Sequence, residues 1–161
     1  MAVLPDELRS AMRQWATGVS IVTTSVDDVS HGKTVNSLTS ISLDPPYVMV
    51  SLEQSTRTHR MVKTSGFYGV TILSASQQQI SDCFAGRHTE DENRFSGVET
   101  FTLHTGAPFI TGGLVFLDCV VVSTIDAATH TLFIGEVVAI KYGQSGDPLL
   151  YYNRNYRGLQ K

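Results

Sequence analysis

Cysteine, proline and charge are all scarce in this chain. Two cysteines and five prolines among 161 residues provide no disulfide framework, so stability has to come from an apolar core, which a chain of this length can build. Charged residues make up 17% and hydrophobic residues 42%, a balance that excludes a disordered chain and a heavily solvated helical bundle. Twelve basic side chains against fifteen acidic ones leave a net charge of -3. That is not the basic excess used to bind phosphate backbones, so no nucleic acid partner is expected. No apolar run approaches the roughly 20 residues of a membrane span. Residues 1–13 carry charges every few positions instead of a leader's apolar segment. The expectation is one cytoplasmic domain over residues 1–161, with no membrane partner.

Several chemistries are missing as well. Gly112-Gly113 has neither dinucleotide-loop nor phosphate-loop spacing, and no Gly-x-Ser-x-Gly elbow occurs. The five histidines (31, 59, 88, 104 and 130) lack the paired spacing of a zinc helix, so no metal is expected. Cys83 and Cys119 sit in apolar company and read as reduced, structural thiols. Without a nucleophile beside an evident base, hydrolysis and group transfer are disfavoured.

The remaining pattern is rich in strands. Pro5-Asp6-Glu7 opens a helix whose apolar stripe Leu4, Leu8, Ala11, Met12 and Trp15 runs toward Gly18, its expected end. Residues 19–26 read as a strand, Asp27-Asp28 as a turn, and residues 33–42 as a hydroxyl-rich extended stretch broken by Asp44-Pro45-Pro46. A strand over 47–52 and a short helix over 55–63 before Gly66 follow, then a strand over 67–73. Capping-box spacing at Ser76/Gln79 and again at Thr89/Glu92 predicts two helix starts, with an exposed loop over 86–92. Residues 114–125 and 130–142 form a β-hairpin around a turn at 126–129. Six or seven strands against three short helices, without strand-helix alternation, predict a mostly β, mostly antiparallel barrel. In the hairpin, Leu114, Phe116, Val120 and Val122 and the alternate set Val115, Leu117, Cys119 and Val121 make both faces apolar. The outer face therefore needs a cover, and with helices so few a homodimer is expected.

Two segments carry candidate chemistry. Residues 34–40 gather small donors and acceptors at a strand edge, suited to the rim of a flat heteroaromatic ring. Ser55, Thr56 and Thr58 lie at a helix N-terminus beside Arg57 and Arg60, suited to a phosphate. Ring site followed by phosphate site suggests a mononucleotide cofactor. Equally, Asn36 and Ser37 could form a plain turn and Ser55 a plain cap.

Residues 16–24 (ATGVSIVTT) and 34–46 (TVNSLTSISLDPP) resemble the opening of the flavin reductase domain family of flavin-binding split-barrel proteins. The resemblance continues in order through Ser55-Thr56-Arg57-Thr58, Ser65-Gly66-Phe67, Gln78 with Phe84-Ala85, Phe95-Ser96-Gly97, residues 106–113, residues 133–137 and residues 148–152. It implies an antiparallel Greek-key split β-barrel that dimerises and holds FMN or FAD at the subunit interface. It also implies hydride uptake from NADH or NADPH and release of reduced flavin, often to a partner monooxygenase. Asn36, Ser37, Thr39 and Ser40 would then line the isoalloxazine, Ser51 and Leu52 would approach the ring or ribityl chain, and Ser55, Thr56 and Thr58 would hold the phosphate with charge from Arg57 or Arg60. Phe84, Ala85 and Arg87 would close over the cofactor, and Tyr152 and Tyr156 would stack near it. Many relatives carry Gly-Asp-His before the last long strand; here Ala128-Thr129-His130 stands there, keeping a histidine for the nicotinamide. The altered turn motivates a second reading, a flavin-binding electron-relay module idle toward nicotinamides. A third reading is a dimeric barrel scaffold without cofactor.

Overall fold

The structure, a computed structural model, describes residues 2–86 and 93–160. In chain order it comprises α1 (Pro5–Met12), β1 (Thr17–Gly18), β2 (Ser20–Val26), β3 (Val29–Val35), β4 (Thr39–Leu43), β5 (Pro46–Glu53), α2 (Arg57–Ser65) and β6 (Phe67–Ile72). A 3-10 turn (Ala75–Gln77) leads into α3 (Gln78–Phe84), followed by β7 (Thr100–Phe101), β8 (Phe109–Ile110), β9 (Val115–Ala127), β10 (His130–Tyr142), β11 (Leu150–Tyr152) and β12 (Asn155–Arg157). Seven strands form one antiparallel sheet in the order β3-β2-β6-β9-β10-β5-β4. Its edge strands β3 and β4 are consecutive in the chain yet do not pair, so the barrel is split between them. A three-stranded sheet, β1-β11-β12, and the β7-β8 pair complete the fold.

Local chemistry explains most element boundaries. Asp27 and Asp28 hold φ of 49° and 62°, the left-handed pair that a tight β2-β3 hairpin requires and that aspartate tolerates. Thr56 caps α2 by accepting the His59 backbone N–H at 3.4 Å, and Gly66 ends that helix at φ 74°. The cap lies one residue beyond the expected Ser55. The extended stretch expected over 33–42 is interrupted at 36–38, and β3 begins earlier, at Val29. The interruption is the crossover from one sheet edge to the other. Helix α1 stops at Met12 instead of continuing toward Gly18, because Thr17 and Gly18 pair with Tyr151 and Leu150. The capping box expected at Ser76/Gln79 forms two residues earlier: Gln77 Oε1 accepts the Ser74 N–H at 3.1 Å. The Thr89/Glu92 box and most of the 86–92 loop lie outside the described residues.

The barrel interior is filled by Val22, Val35, Val48, Val50, Leu52, Val62, Tyr68, Val70, Cys119 and Phe133. Tyr68 crosses this core and donates through its hydroxyl to the carbonyls of Val48 (3.2 Å) and Phe133 (3.3 Å). A Cβ at position 135 would stand 2.5 Å from that phenolic oxygen, so Gly135 is what lets the tyrosine cross. A second cluster, Val19, Ile21, Leu73, Phe84, Ile110 and Leu149, packs α3 against the barrel wall. Both cysteines are free thiols. Among the described residues no helix is long and apolar enough to cross a membrane.

The outer face of the hairpin is bare in the single chain. Val120, Val122, Ile125, Val138, Ile140 and Tyr142 are all exposed, and α1 buries none of its residues, with Leu4, Leu8, Met12 and Trp15 open as well.

Candidate functional site

At the split edge, strand register sorts side chains by face. Residues opposite one another in an antiparallel pair point the same way. The β5-β10 register sets Ser51 against Leu132 and Glu53 against His130, with Leu52 against Thr131 between them. Leu52 and Thr131 are buried, so Ser51, Glu53 and His130 share the outward face.

The crossover segment 36–38 borders a cavity of about 550 Å³ lined by Val19, Thr34, Asn36, Gln78, Ser81, Asp82, Ala85, Tyr151, Arg154 and Tyr156. Asn36 also borders a smaller groove with Trp15, Thr17, Leu38 and Thr39. Both volumes suit a small-molecule site of mixed character. Ser37 clips the crossover to β5: its hydroxyl accepts the Ser51 N–H at 3.0 Å and donates to the Ser51 carbonyl at 3.2 Å. Thr39 donates to the Ser37 carbonyl at 3.3 Å, and Ser40 is exposed on β4.

Inside the larger cavity the Tyr156 hydroxyl donates to Asp82 Oδ1 at 3.1 Å and lies 2.8 Å from the Ser81 hydroxyl. Burial pushes the Tyr156 phenol up; the Ser81 bond opposes the shift and the Asp82 carboxylate adds to it. The phenol therefore stays protonated and remains a donor. Tyr151 meets Tyr156 edge to face at 5.5 Å between centroids, giving the cavity an aromatic wall. Arg154 enters from the β11-β12 turn, where Asn153 and Arg154 hold φ of 47° and 63°.

Several expected site residues are placed differently. Phe84 is completely buried, edge-on to Phe95 at 5.1 Å, so it packs the core and does not close over a ligand. Leu52 is 1% exposed and its side chain belongs to the barrel interior. Thr58 points inward and its hydroxyl bonds His31 Nδ1 at 2.8 Å, which removes it from any phosphate at the helix start. Arg57 faces a separate cavity of about 470 Å³ with His31, Asn93 and Arg94. Tyr152 points away from the main cavity and donates to Gln14 Oε1 at 2.9 Å; strand alternation gives its place to Tyr151. Arg87 lies outside the described residues.

The remaining expectations stay accessible. Ala85 lines the cavity. Ser55 is exposed, and its carbonyl accepts Arg60 Nη1 at 2.7 Å, while Thr56 caps the helix. Arg60 therefore folds back over the first turn of α2 and brings its charge to the free N–H groups there. His130 is exposed at the start of β10, with Nδ1 3.0 Å from the Thr129 hydroxyl. Ala128 holds φ 52°, the left-handed conformation that suits glycine, so the turn keeps a glycine-like backbone without the glycine. Sequence reasoning missed Gln78, Ser81, Asp82, Tyr151 and Arg154. Asn153 at a turn between Tyr-rich segments was the one available signal for Arg154.

The chemistry of this edge is that of a holder. An amide at Asn36, hydroxyls at Ser81 and Tyr156, a guanidinium at Arg154 and two aromatic rings suit a flat ligand with polar edges and an anionic tail. Among the described residues no three His, Cys, Asp or Glu side chains cluster as metal ligands.

Comparison with known proteins gives a concordant result. The model of the flavin reductase like domain matches residues 12–160. An NADH-dependent flavin reductase of Rhodococcus is 39% identical, covering 98% of this chain and 88% of its own length. The styrene monooxygenase flavin reductase of Pseudomonas putida S12 superposes with a TM-score of 0.84 at 37% identity, covering 96% of this chain and 98% of that one. An NADH:FAD oxidoreductase of Streptomyces globisporus, solved in complex with NAD and FAD fragments, superposes with a TM-score of 0.89 at 27% identity, covering 99% and 97%.

Proposed function

Because the chain belongs to the family of flavin reductase like domains, we propose that it is an NADH-dependent flavin reductase that delivers reduced FMN or FAD to a partner monooxygenase. The observation that carries this reading is the cavity at the split edge, where Asn36, Ser81, Tyr151, Arg154 and Tyr156 converge beside the Ser37–Ser51 clip. When bound, the flavin supplies the two-electron chemistry, which needs no strong general base from the protein. The absence of a nucleophile with a base agrees with that division of labour.

The chain's own part is to bind and orient. The Asn36 amide and the Ser40 hydroxyl offer donors to the ring's polar rim, stabilising negative charge that develops there, while the Ser37–Ser51 clip and the Thr39 bond hold the segment in shape. The first turn of α2, with Ser55, Thr56 and Arg60, receives the phosphate. Tyr151 and Tyr156 supply stacking surface, and His130 orients the nicotinamide. Holding two rings in contact converts an encounter into a local event, which is the main catalytic advantage available here.

The working unit is a homodimer. The chain exposes 9487 Å², roughly 1,600 Å² above the roughly 7,900 Å² expected for a compact monomer of this mass. An excess of that size is about twice the roughly 800 Å² that each partner contributes to a standard interface, and falls in the range of an obligate homodimer. The bare apolar strips of β9, β10 and α1 are the surfaces to cover. The dimer works in the cytoplasm, where nicotinamide and flavin are both at hand.

Purified protein mixed with FMN or FAD and either NADH or NADPH tests the reading. The NADH pairs should consume donor far above the flavin-free background. A flat trace for every pair would overturn it.

A further inference from the structure

The junction of the β9-β10 hairpin tip with the start of α2 holds a polar cluster, buried at Thr131 and His59, that binding and orientation, as described above, leave unused. Thr131 is 3% exposed and His59 6% exposed. The Thr131 hydroxyl lies 2.7 Å from Asp126 Oδ1 and 2.9 Å from His59 Nε2. A hydroxyl has one proton, and the carboxylate takes it, so His59 Nε2 must carry the imidazole proton and donate to Thr131. His59 Nδ1 is then the bare nitrogen, and it is buried without a hydrogen-bond partner among the described residues. The ring is held edge to face on Phe133 at 5.3 Å.

Gln54 adds two more ties to the same place. Its backbone N–H donates to the Thr129 carbonyl at 2.9 Å, and its side-chain amide reaches the His130 carbonyl at 3.3 Å and the Thr131 hydroxyl at 3.4 Å. Residues 129–131 are thereby bound to Gln54 and His59, which bracket the α2 cap. His59 joins both regions, since its backbone N–H is the one that Thr56 caps while its side chain holds Thr131.

We propose that His59, Thr131, Gln54 and Asp126 form a latch that fixes the tip of the β9-β10 hairpin to the first turn of α2, and so sets His130 at a defined distance from the phosphate-binding turn. Thr131 and His59 are positioning residues: they touch no ligand, and their effect passes through His130 on the opposite face of the same strand. The proposal rests on the assignment of His130 to the nicotinamide. Burying Thr131 and His59 is costly without hydrogen-bond partners, and the convergence of His59, Gln54 and Asp126 on a single hydroxyl gives the tip one arrangement in place of many.

Thr131→Val keeps the shape and deletes the hydroxyl, while Thr131→Ser keeps the hydroxyl. In the full-length protein, the valine variant should lower kcat/KM for NADH about tenfold, mainly through KM, with FMN affinity from fluorescence titration changed less than about twofold. Amide hydrogen exchange at residues 128–131 should become faster. The serine variant should restore at least half of the loss in both measurements. Unchanged donor kinetics in a folded valine variant, parallel loss of FMN and NADH affinity, or failure of serine to rescue would each overturn the latch. Should valine prevent folding, the exposed Asp126→Ala removes the acceptor from outside the core and must show the same pattern in weaker form; an unaltered Asp126→Ala overturns the proposal. If the unmodified protein is idle with nicotinamides, the functional reading fails by itself. Exchange at 128–131 then decides the latch: faster in the valine variant supports it, and unchanged overturns it.

Discussion

Tyr68 and Tyr156 occupy opposite regions of the molecule and satisfy their hydroxyls by opposite means. In the closed interior, Tyr68 is fully buried and gives its proton to two backbone carbonyls, Val48 and Phe133. Burial there pushes the neighbouring Cys119 thiol up to about 12, with the Asp118 carboxylate adding to the shift and the Tyr68 bond opposing it, so that thiol is inert. At the split edge, Tyr156 gives its proton to a side chain, Asp82, at the wall of an open cavity. Backbone partners cannot rearrange without unfolding the sheet, whereas side-chain partners can exchange one another for a ligand. The interior is thus built for permanence and the edge for replaceable contacts.

The largest expected effect breaks the interior. Phe133 is completely buried between His59 and the Tyr68 hydrogen bond, so Phe133→Ala should cost about 3–5 kcal/mol of stability in urea unfolding. A loss below about 1 kcal/mol would mean that the interior collapses around the gap and is less rigid than the comparison requires. A substitution at the edge such as Asn36→Ala should leave the unfolding midpoint nearly where it was while weakening ligand binding.

Next in size is the charge at the edge. Arg60 folds over the α2 start while Arg57 faces another cavity. Arg60→Ala should therefore weaken FMN binding by about 1.5–3 kcal/mol and leave riboflavin almost unaffected. Arg57→Ala should be nearly silent toward both. Titration of the two ligands against each variant checks this, and an equal loss for FMN and riboflavin would move the phosphate away from α2.

The same contrast governs how far the sequence could be read. The hairpin, the strands around it and the apolar outer face follow from period and composition, because burial imposes those patterns over many residues. The edge was legible only in part. Asn36, Ser37 and Thr56 stand where small polar residues imply a bend or a cap, but Thr58 and Phe84 sit next to such positions and turn inward. Which way a side chain turns at a helix start depends on its tertiary neighbour, here His31 for Thr58, fixed by a strand 27 residues away in sequence. Tyr151 and Tyr152 differ by the one-residue register of a three-residue strand, too short for any alternation to reveal. Ser81 and Asp82 reach the cavity together with Gln78 and Ala85, whereas Phe84, one turn from Ser81 and buried like it, packs the core, a distinction that a seven-residue helix barely encodes.

A smaller effect tests the hairpin tip. Ala128 carries its Cβ at φ 52°, a conformation costing about 1–2 kcal/mol for an L-residue and nothing for glycine. Ala128→Gly should stabilise the folded chain by about 0.5–1 kcal/mol after the added entropy of the unfolded glycine is counted. Thermal unfolding of the pair would show it. A destabilised glycine variant would indicate that the alanine methyl makes a packing contact outweighing the strain.

The smallest of these effects is a pH dependence seated between the two regions, at His59. Burial lowers the His59 pKa from its ordinary 6.5, and the Lys63 and Arg60 charges on its own helix act in the same direction while Asp126 opposes them. The folded chain therefore keeps the imidazole neutral over a range where the unfolded chain already binds a proton. Stability rises with pH wherever the unfolded state holds more protons. The His59 contribution is complete above pH 6.5 and declines as pH falls from there toward the folded pKa. Urea midpoints for the unmodified protein should drop between about pH 7.5 and about pH 5.5, and His59→Gln, whose side chain does not titrate, should remove that portion of the slope. Identical slopes for the two proteins would show that His59 is charged in the folded state as readily as in the unfolded one.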